Sequence, residues 1–182
     1  MLNHDRPAPT ASATPWPESP AAADARLPGD GAPIALENLP GHYIRRLQQI
    51  AVALFMEETA DSSITPVQFA TLAAAYDQPG LDQRSLAAAI RFDTSTIGGV
   101  IDRLEKRGLI QRNAAPHDRR LRLLTVTPEG EALLAEVLPR VHAVQARILA
   151  PLDAAERPQF LALMRRVVDA HGDASLDARD DA

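Results

Sequence analysis

The chain has 182 residues, of which 46% are hydrophobic and only 4% aromatic, and its formal net charge is −5. A chain of this length can bury one sizeable core, and this composition favours an aliphatic, mainly helical one. It holds no cysteine, which excludes disulfides and thiolate metal sites. It shows neither an apolar run near the ~20 residues of a membrane span nor a secretory signal pattern. We therefore expect a cytoplasmic protein.

The charges are unevenly distributed along the chain, and one segment is basic although the net charge is negative. Residues 82–126 carry nine Arg or Lys against five Asp or Glu, a net charge of +4, so the remaining residues carry −9. An acidic body with one basic block could orient the protein on a polyanion such as nucleic acid. A solvated mosaic of charges explains the same numbers, and the charge alone does not separate the two.

The N-terminal part of the chain does not show the periodicity of a folded element. Residues 1–36 hold seven of the fifteen prolines and many alanines. Such a segment buries too little apolar surface to offset the entropy of ordering it. We expect residues 1–37 to be a disordered tail, and the polar residues 173–182 to form a second one.

Helical patterns begin at Leu39. Tyr43, Leu47, Ile50 and Leu54 follow at spacings that place them on one stripe of a helix. The segment TPVQ at 65–68 predicts the start of a second helix, since a Thr cap, a proline and a glutamine form a capping box. Asp82 is a suitable cap for a short third helix, which would turn its apolar residues inward (Leu86, Ala87 and Ile90).

The fourth predicted helix begins at Asp93 and runs to Arg107, with Gly108 as its left-handed C-terminal cap. Its buried stripe is Ile97, Val100, Ile101 and Leu104. The opposite face carries small and polar residues, namely Ser95, Gly99, Asp102 and Lys106, flanked by Thr96, Gly98 and Arg103. Small hydroxyl residues at a helix start, with an arginine two turns later, suit contacts to base edges and phosphates.

The Gly98-Gly99 pair lies within this helix. Each glycine costs roughly 1 kcal/mol relative to alanine in a helix interior. Close approach of the helix to a groove wall would explain the doublet. Drift at a tolerant surface position is the alternative.

Two strands are predicted next, at Leu109–Asn113 and Arg120–Val126, joined by the loop AAPHD. The loop and second strand carry Arg119, Arg120 and Arg122, and arginine suits the negative potential of a narrow minor groove. Asp118 could hold one guanidinium in a fixed pose through a bidentate pair. An ordinary exposed salt bridge is the alternative.

Two long helices complete the pattern. Thr127-Pro128 begins the first, whose apolar positions are Leu133, Leu134, Val137, Leu138, Val141, Val144 and Ile148. Pro139 lies inside it and should kink it, because proline removes a backbone hydrogen bond. Asp153 with Glu156 begins the last helix, in which we expect an inward-facing set of Phe160, Leu161, Met164 and Val168.

From Leu39 to His171 the chain resembles the MarR family of winged helix-turn-helix regulators. The resemblance rests on TSTIGGVIDRLEKRGLIQR at 94–112, the DRR of the wing, LTVTPEG at 124–130 and the short helix at 82–90. It implies a mainly α fold with a small β-hairpin, in a domain of residues 38–172. The DNA-binding lobe would span about 63–126, and helices at about 39–60 and 127–171 would interlock as the dimerisation layer of a homodimer.

The resemblance also implies how the site residues act. Ser95, Thr96, Gly99 and Arg103 would face bases and backbone, Arg120 would reach the minor groove, and Asp118 would brace the wing. The full set that we expect at double-stranded DNA is Thr94, Ser95, Thr96, Gly98, Gly99, Arg103, Arg119, Arg120 and Arg122. The dimer would occlude a pseudo-palindromic operator with half-sites about one helical turn, roughly 10 base pairs, apart.

Regulators of this family usually carry a small-molecule effector pocket, and many of the effectors are aromatic carboxylates. His42, Arg46 and Gln49 share one helix face, where a histidine and an arginine one turn apart could clamp a carboxylate. Phe69 and Tyr76 are expected to line the same pocket. The segment LPGHYIRRLQQIAVALF resembles the branch of the family that controls nicotinate catabolism. A solvated or dimer-interface polar face is the alternative for these residues.

Other function classes find less support. The sequence has no nucleophile elbow, P-loop or dinucleotide fingerprint, and no histidine has a neighbour at metal-ligand spacing, so we expect no enzyme activity, cofactor or metal. A winged helix that binds protein instead of DNA would need an apolar wing and recognition face. The arginines and hydroxyls present favour DNA.

Overall fold

The computed structural model describes Leu36, residues 39–115, His117 and residues 120–172. The described elements are six α-helices and one hairpin. In chain order they are α1 (Pro40–Glu58), α2 (Pro66–Asp77), α3 (Gln83–Ala89), α4 (Thr94–Lys106), β1 (Ile110–Ala114), β2 (Arg122–Val126), α5 (Pro128–Ile148) and α6 (Glu156–Gly172). A 3-10 turn at Ala60–Ser62 joins α1 to α2. The predicted helix-turn-helix and wing are therefore present in this order.

Local capping explains where three of the helices begin. At α2 the Thr65 hydroxyl accepts from the Gln68 amide at 3.3 Å, and the Gln68 side chain accepts from the Thr65 amide at 3.1 Å, which completes the predicted capping box. The carboxylates of Asp82 and Asp93 accept backbone amides at the starts of α3 and α4. Gly108 has a φ of 72° and lies directly after the end of α4, as predicted.

The hairpin is antiparallel and pairs Ile110 with Val126 at its base and Ala114 with Arg122 at its tip. Both strands lie within two residues of their predicted bounds. The segment between α2 and α3 is hydrogen-bonded to β2. The Gly80 amide donates to the Leu124 carbonyl, and the Leu124 amide donates to the Leu81 carbonyl. The wing is thereby tied to the helix-turn-helix on its inner edge.

One apolar core unites α2 to α5 with the hairpin. The apolar stripe of α4 is fully buried, and Leu72, Leu86 and Leu124 join it with no more than 1% exposure. From α5 come Val137, Val141 and Val144. The core thus fixes α4 by one face and leaves its opposite face outward.

The outer helices α1 and α6 expose part of their apolar faces, which for α6 differs from the predicted inward packing. On α1, Tyr43 is 58% exposed and Ile50 46% exposed, and Phe55 is the buried residue of that helix. On α6, Leu161 and Val168 are exposed instead of facing inward, and none of residues 156–171 is buried. The predicted stripes are amphipathic faces that the described residues of one chain leave partly uncovered. None of the described helices combines the length and the apolar content that crossing a bilayer requires.

Candidate DNA interface and effector cavities

The start of α4 is organised by Asp93. Its carboxylate accepts from the amides of Ser95 at 2.9 Å and Thr96 at 3.0 Å, and the Ser95 hydroxyl donates to the same oxygen. The Ser95 hydroxyl, followed by the Thr96 amide, lowers the pKa of this carboxyl below its usual value. The cap therefore stays ionised and holds the first turn of α4 in place.

The predicted reading face of α4 is open. Thr94, Ser95, Thr96 and Arg103 are exposed, whereas the stripe that begins at Ile97 is buried. Gly99 has open space on its side of the helix, where an added Cβ would meet only the Arg103 guanidinium, at 3.6 Å from Nη1. This face therefore presents hydroxyls, bare backbone and one arginine, which is the predicted chemistry.

Gly98 differs from Gly99 in what it faces. A Cβ on Gly98 would lie 3.0 Å from Nε2 of Gln83 in α3. The same Nε2 donates to the Thr94 carbonyl at 3.3 Å, so the Gln83 side chain crosses between α3 and α4 at this point. A Cβ at Gly98 would therefore meet the movable end of a neighbouring side chain, whereas a Cβ at Gly99 would stand on the open face of α4.

An arginine that was not predicted as a site residue, Arg112, forms ion pairs with the two acidic residues of α4. Arg112 of β1 donates from Nη2 to Asp102 at 2.5 Å and from Nη1 to Glu105. These hydrogen bonds and charges raise the Arg112 pKa despite its partial burial. The two carboxylates that would otherwise repel a phosphate backbone are therefore paired from within the fold. The sequence does show that Asp102 and Glu105 are three residues apart, a spacing that places both carboxylates on one side of the helix.

On the wing, Arg120 and Arg122 are exposed, and Arg120 already makes an interaction within the chain. Asp118 and Arg119 lie outside the described residues, so the predicted brace between Asp118 and an arginine stays a prediction. Asn113 and Thr125 join the two strands through a side-chain hydrogen bond of 2.9 Å.

The base of the wing is locked to α4 and α5 by Thr127 and Gly130. The Thr127 hydroxyl donates to the Gly108 carbonyl at 2.6 Å and accepts from the Gly130 amide at 3.1 Å. A Cβ on Gly130 would lie 2.2 Å from the Leu109 carbonyl oxygen, so only glycine fits there. This contact fixes the wing relative to the reading face.

The residues predicted for the effector do not form one pocket within the chain. His42 and Arg46 line a cavity of about 600 Å³ between α1 and α6, whose other walls are apolar and include Leu47, Phe160 and Met164. The His42 imidazole contacts the Tyr43 ring edge-on, with centroids 5.5 Å apart.

Phe69 and Tyr76 instead line a separate cleft of about 490 Å³ between α2 and α5. Asp77 and Glu131 also line this cleft, and its lining includes no basic residue. Gln49 lines neither space, and its side chain accepts from Arg45 at 3.4 Å. The part of the chain that the structure describes holds no cluster of acids and histidines suited to a metal ion.

Comparison with known proteins agrees with this architecture. The model of the MarR family matches residues 64–121, which run from the start of the helix-turn-helix into the wing. The chain is also 33% identical over 142 residues to the transcriptional repressor NicR of Pseudomonas putida, covering 78% of this chain and 90% of NicR. The chain belongs to the MarR family.

Solved structures of MarR relatives extend the comparison to ligands. Bordetella bronchiseptica BpsR, described for the regulation of its DNA binding by 6-hydroxynicotinic acid, aligns with a TM-score of 0.71 and 35% identity over 75% of this chain and 98% of BpsR. CouR of Rhodococcus jostii, bound to a 23-mer DNA duplex, aligns with a TM-score of 0.69 and 28% identity, covering 73% of this chain and 94% of CouR. These MarR relatives are regulators and not enzymes, and they favour DNA over protein as the partner of this chain.

Proposed function

We propose that this MarR protein is a dimeric transcriptional repressor that leaves its operator when a small aromatic carboxylate of the nicotinate type binds. The proposed DNA binding rests on the exposed face of α4. Its apolar stripe is buried, its hydroxyls and Arg103 are exposed, and its two acids are paired with Arg112. Such a face can enter a major groove without an unpaired carboxylate.

The exposed apolar residues of α1 and α6 support the dimer. Tyr43, Ile44, Leu163 and Val167 are each more than half exposed. Apolar exposure on two neighbouring helices is the usual mark of an interface. A second copy with the same two faces would cover them through a symmetric contact and would set the separation of the two α4 helices.

The cavity between α1 and α6 supports the effector class. Its apolar walls suit a ring, while His42 and Arg46 supply donors at one side, and an arginine can hold a carboxylate with two parallel hydrogen bonds. The cleft between α2 and α5 suits an anion less well, because Asp77 and Glu131 repel it. Since the cavity lies beside the proposed dimer interface, its occupant would favour one spacing of the two lobes over the other.

The DNA part is tested with a duplex that the wild-type protein selects from a random pool, followed by fluorescence anisotropy at several salt concentrations. We expect a palindromic selected site with half-sites about one helical turn apart. Selection of no preferred sequence, or binding that persists unchanged in high salt, would contradict the proposal.

The effector part is tested by Arg46→Ala against the matched control Arg45→Ala. Both remove one arginine from the same turn of α1, but Arg45 does not line the cavity. With 6-hydroxynicotinate, nicotinate and benzoate as probes, we expect wild type and Arg45→Ala to release the duplex, and Arg46→Ala to retain it. Equal release by both variants would remove the clamp from the mechanism.

A further inference from the structure

Arg107 makes a long-range contact that none of the roles above uses. It is the C-terminal cap residue of α4, directly after Lys106, and its guanidinium reaches back to the connection between α1 and α2. Nη1 donates to the Ser63 carbonyl at 2.8 Å, and Nη2 donates to the Ser62 carbonyl at 3.1 Å. The planar fork of arginine thus holds two successive carbonyls, a geometry that lysine cannot reproduce.

The connection that Arg107 holds is itself stabilised by internal hydrogen bonds. Ser62 and Thr59 are buried, and their hydroxyls donate to the carbonyls of Thr59 and Phe55 at 2.7 and 2.8 Å. Ser63 has a φ of 51°, a left-handed conformation that is uncommon for residues other than glycine. The carbonyls of Ser62 and Ser63 are therefore presented in a fixed direction at the end of α1.

Two ion pairs connect the same end of α1 to α5. Arg147 donates to Glu57 at 3.1 Å and to Glu58 at 2.5 Å. The end of α1 is consequently a junction held by α5 on one side and by α4, through Arg107, on the other. A displacement of α1 would be passed to α4 through this junction.

We propose that Arg107 is a positioning residue for DNA recognition, which sets the orientation of α4 relative to α1. This inference rests on the proposed DNA binding but not on the effector. Arg107 contacts backbone within its own chain, so it acts without touching DNA. Without the fork, α4 would sample more orientations, and operator binding would have to order them at a cost in affinity.

The experiment compares Arg107→Met and Arg107→Lys with Arg45→Met, a charge-matched control on α1 that lies outside the reading face and the wing. Anisotropy on the selected duplex is measured across a salt series, at a temperature where circular dichroism shows each variant folded. We expect Arg107→Met to lose about tenfold in affinity, equivalent to about 1.4 kcal/mol. Its salt slope should equal that of wild type, because no phosphate contact is lost.

The lysine variant tests the fork itself and remains informative if the methionine variant does not fold. Lysine keeps the charge but offers a single ammonium group, so we expect an affinity below that of wild type. Wild-type affinity in Arg107→Lys would overturn the two-carbonyl fork. A salt slope reduced by about one in Arg107→Met would overturn positioning in favour of a direct phosphate contact. If wild type itself binds no duplex, the proposed function fails, and this is distinguishable from failure of the Arg107 variants alone.

Discussion

Substitution of Gly99 by alanine adds one methyl group, which should raise the stability of the folded protein and lower its affinity for DNA. The added Cβ would meet only Arg103 Nη1, at 3.6 Å, which is ordinary van der Waals contact. Alanine is favoured over glycine in a helix interior by about 1 kcal/mol. For a chain of this size, that gain corresponds to a rise in Tm of about 2–4 °C. The folded protein should therefore become more stable.

The same methyl group should weaken operator binding. It stands on the open face of α4, and forcing a methyl group into a closely packed contact costs about 1–3 kcal/mol. That cost corresponds to a loss in affinity of roughly 5- to 150-fold. Scanning calorimetry would measure the stability and anisotropy on the selected duplex would measure the affinity.

Gly98→Ala is the matched control for this prediction, because its Cβ would point to the movable end of the Gln83 side chain. We expect it to bind DNA close to wild type. If Gly99→Ala were more stable and also bound the duplex with wild-type affinity, then α4 would not approach the groove wall at Gly99.

Three further substitutions test the wing and the acids of α4. Gly130→Ala places a Cβ 2.2 Å from the Leu109 carbonyl oxygen and should lower the free energy of unfolding by about 1–3 kcal/mol, which chemical denaturation would reveal; unchanged stability would contradict this close approach. Arg120→Ala should weaken binding and reduce the salt slope by about one; an unchanged slope would remove this residue from the wing contact. Arg112→Met should weaken DNA binding by freeing two carboxylates, and adding Asp102→Asn with Glu105→Gln should restore affinity; failure of this rescue would show that Arg112 acts through something other than charge pairing.

The parts of the fold that were predictable from the sequence are those fixed by neighbouring residues. The caps at Thr65, Asp82 and Asp93 each involve a partner within three residues, and Gly108 ends α4 through its own backbone conformation. Local patterns of this kind are visible in a sequence because partner and position are adjacent.

Long-range contacts were not predictable in the same way. Arg107 is separated by 44 residues from Ser63, and no sequence pattern near either residue indicates that the two are in contact. The close approach of Gly130 to Leu109 likewise depends on how the wing folds back. For α1 and α6, periodicity identified the apolar faces, but a stripe does not show whether its own chain or a second copy covers it, and the predicted inward placement of Leu161 and Val168 was wrong.

The separation between the outer helices and α4 bears on how such regulators diverge. The apolar residues proposed to choose a second subunit lie on α1 and α6, whereas those proposed to choose an operator lie on α4 and the wing. After a gene duplication, changes confined to the reading face would leave both copies able to pair with each other. Mixed dimers would then form and bind asymmetric operators. Substitutions at positions such as Ile44 or Val167 would be needed to stop the two proteins from pairing with each other.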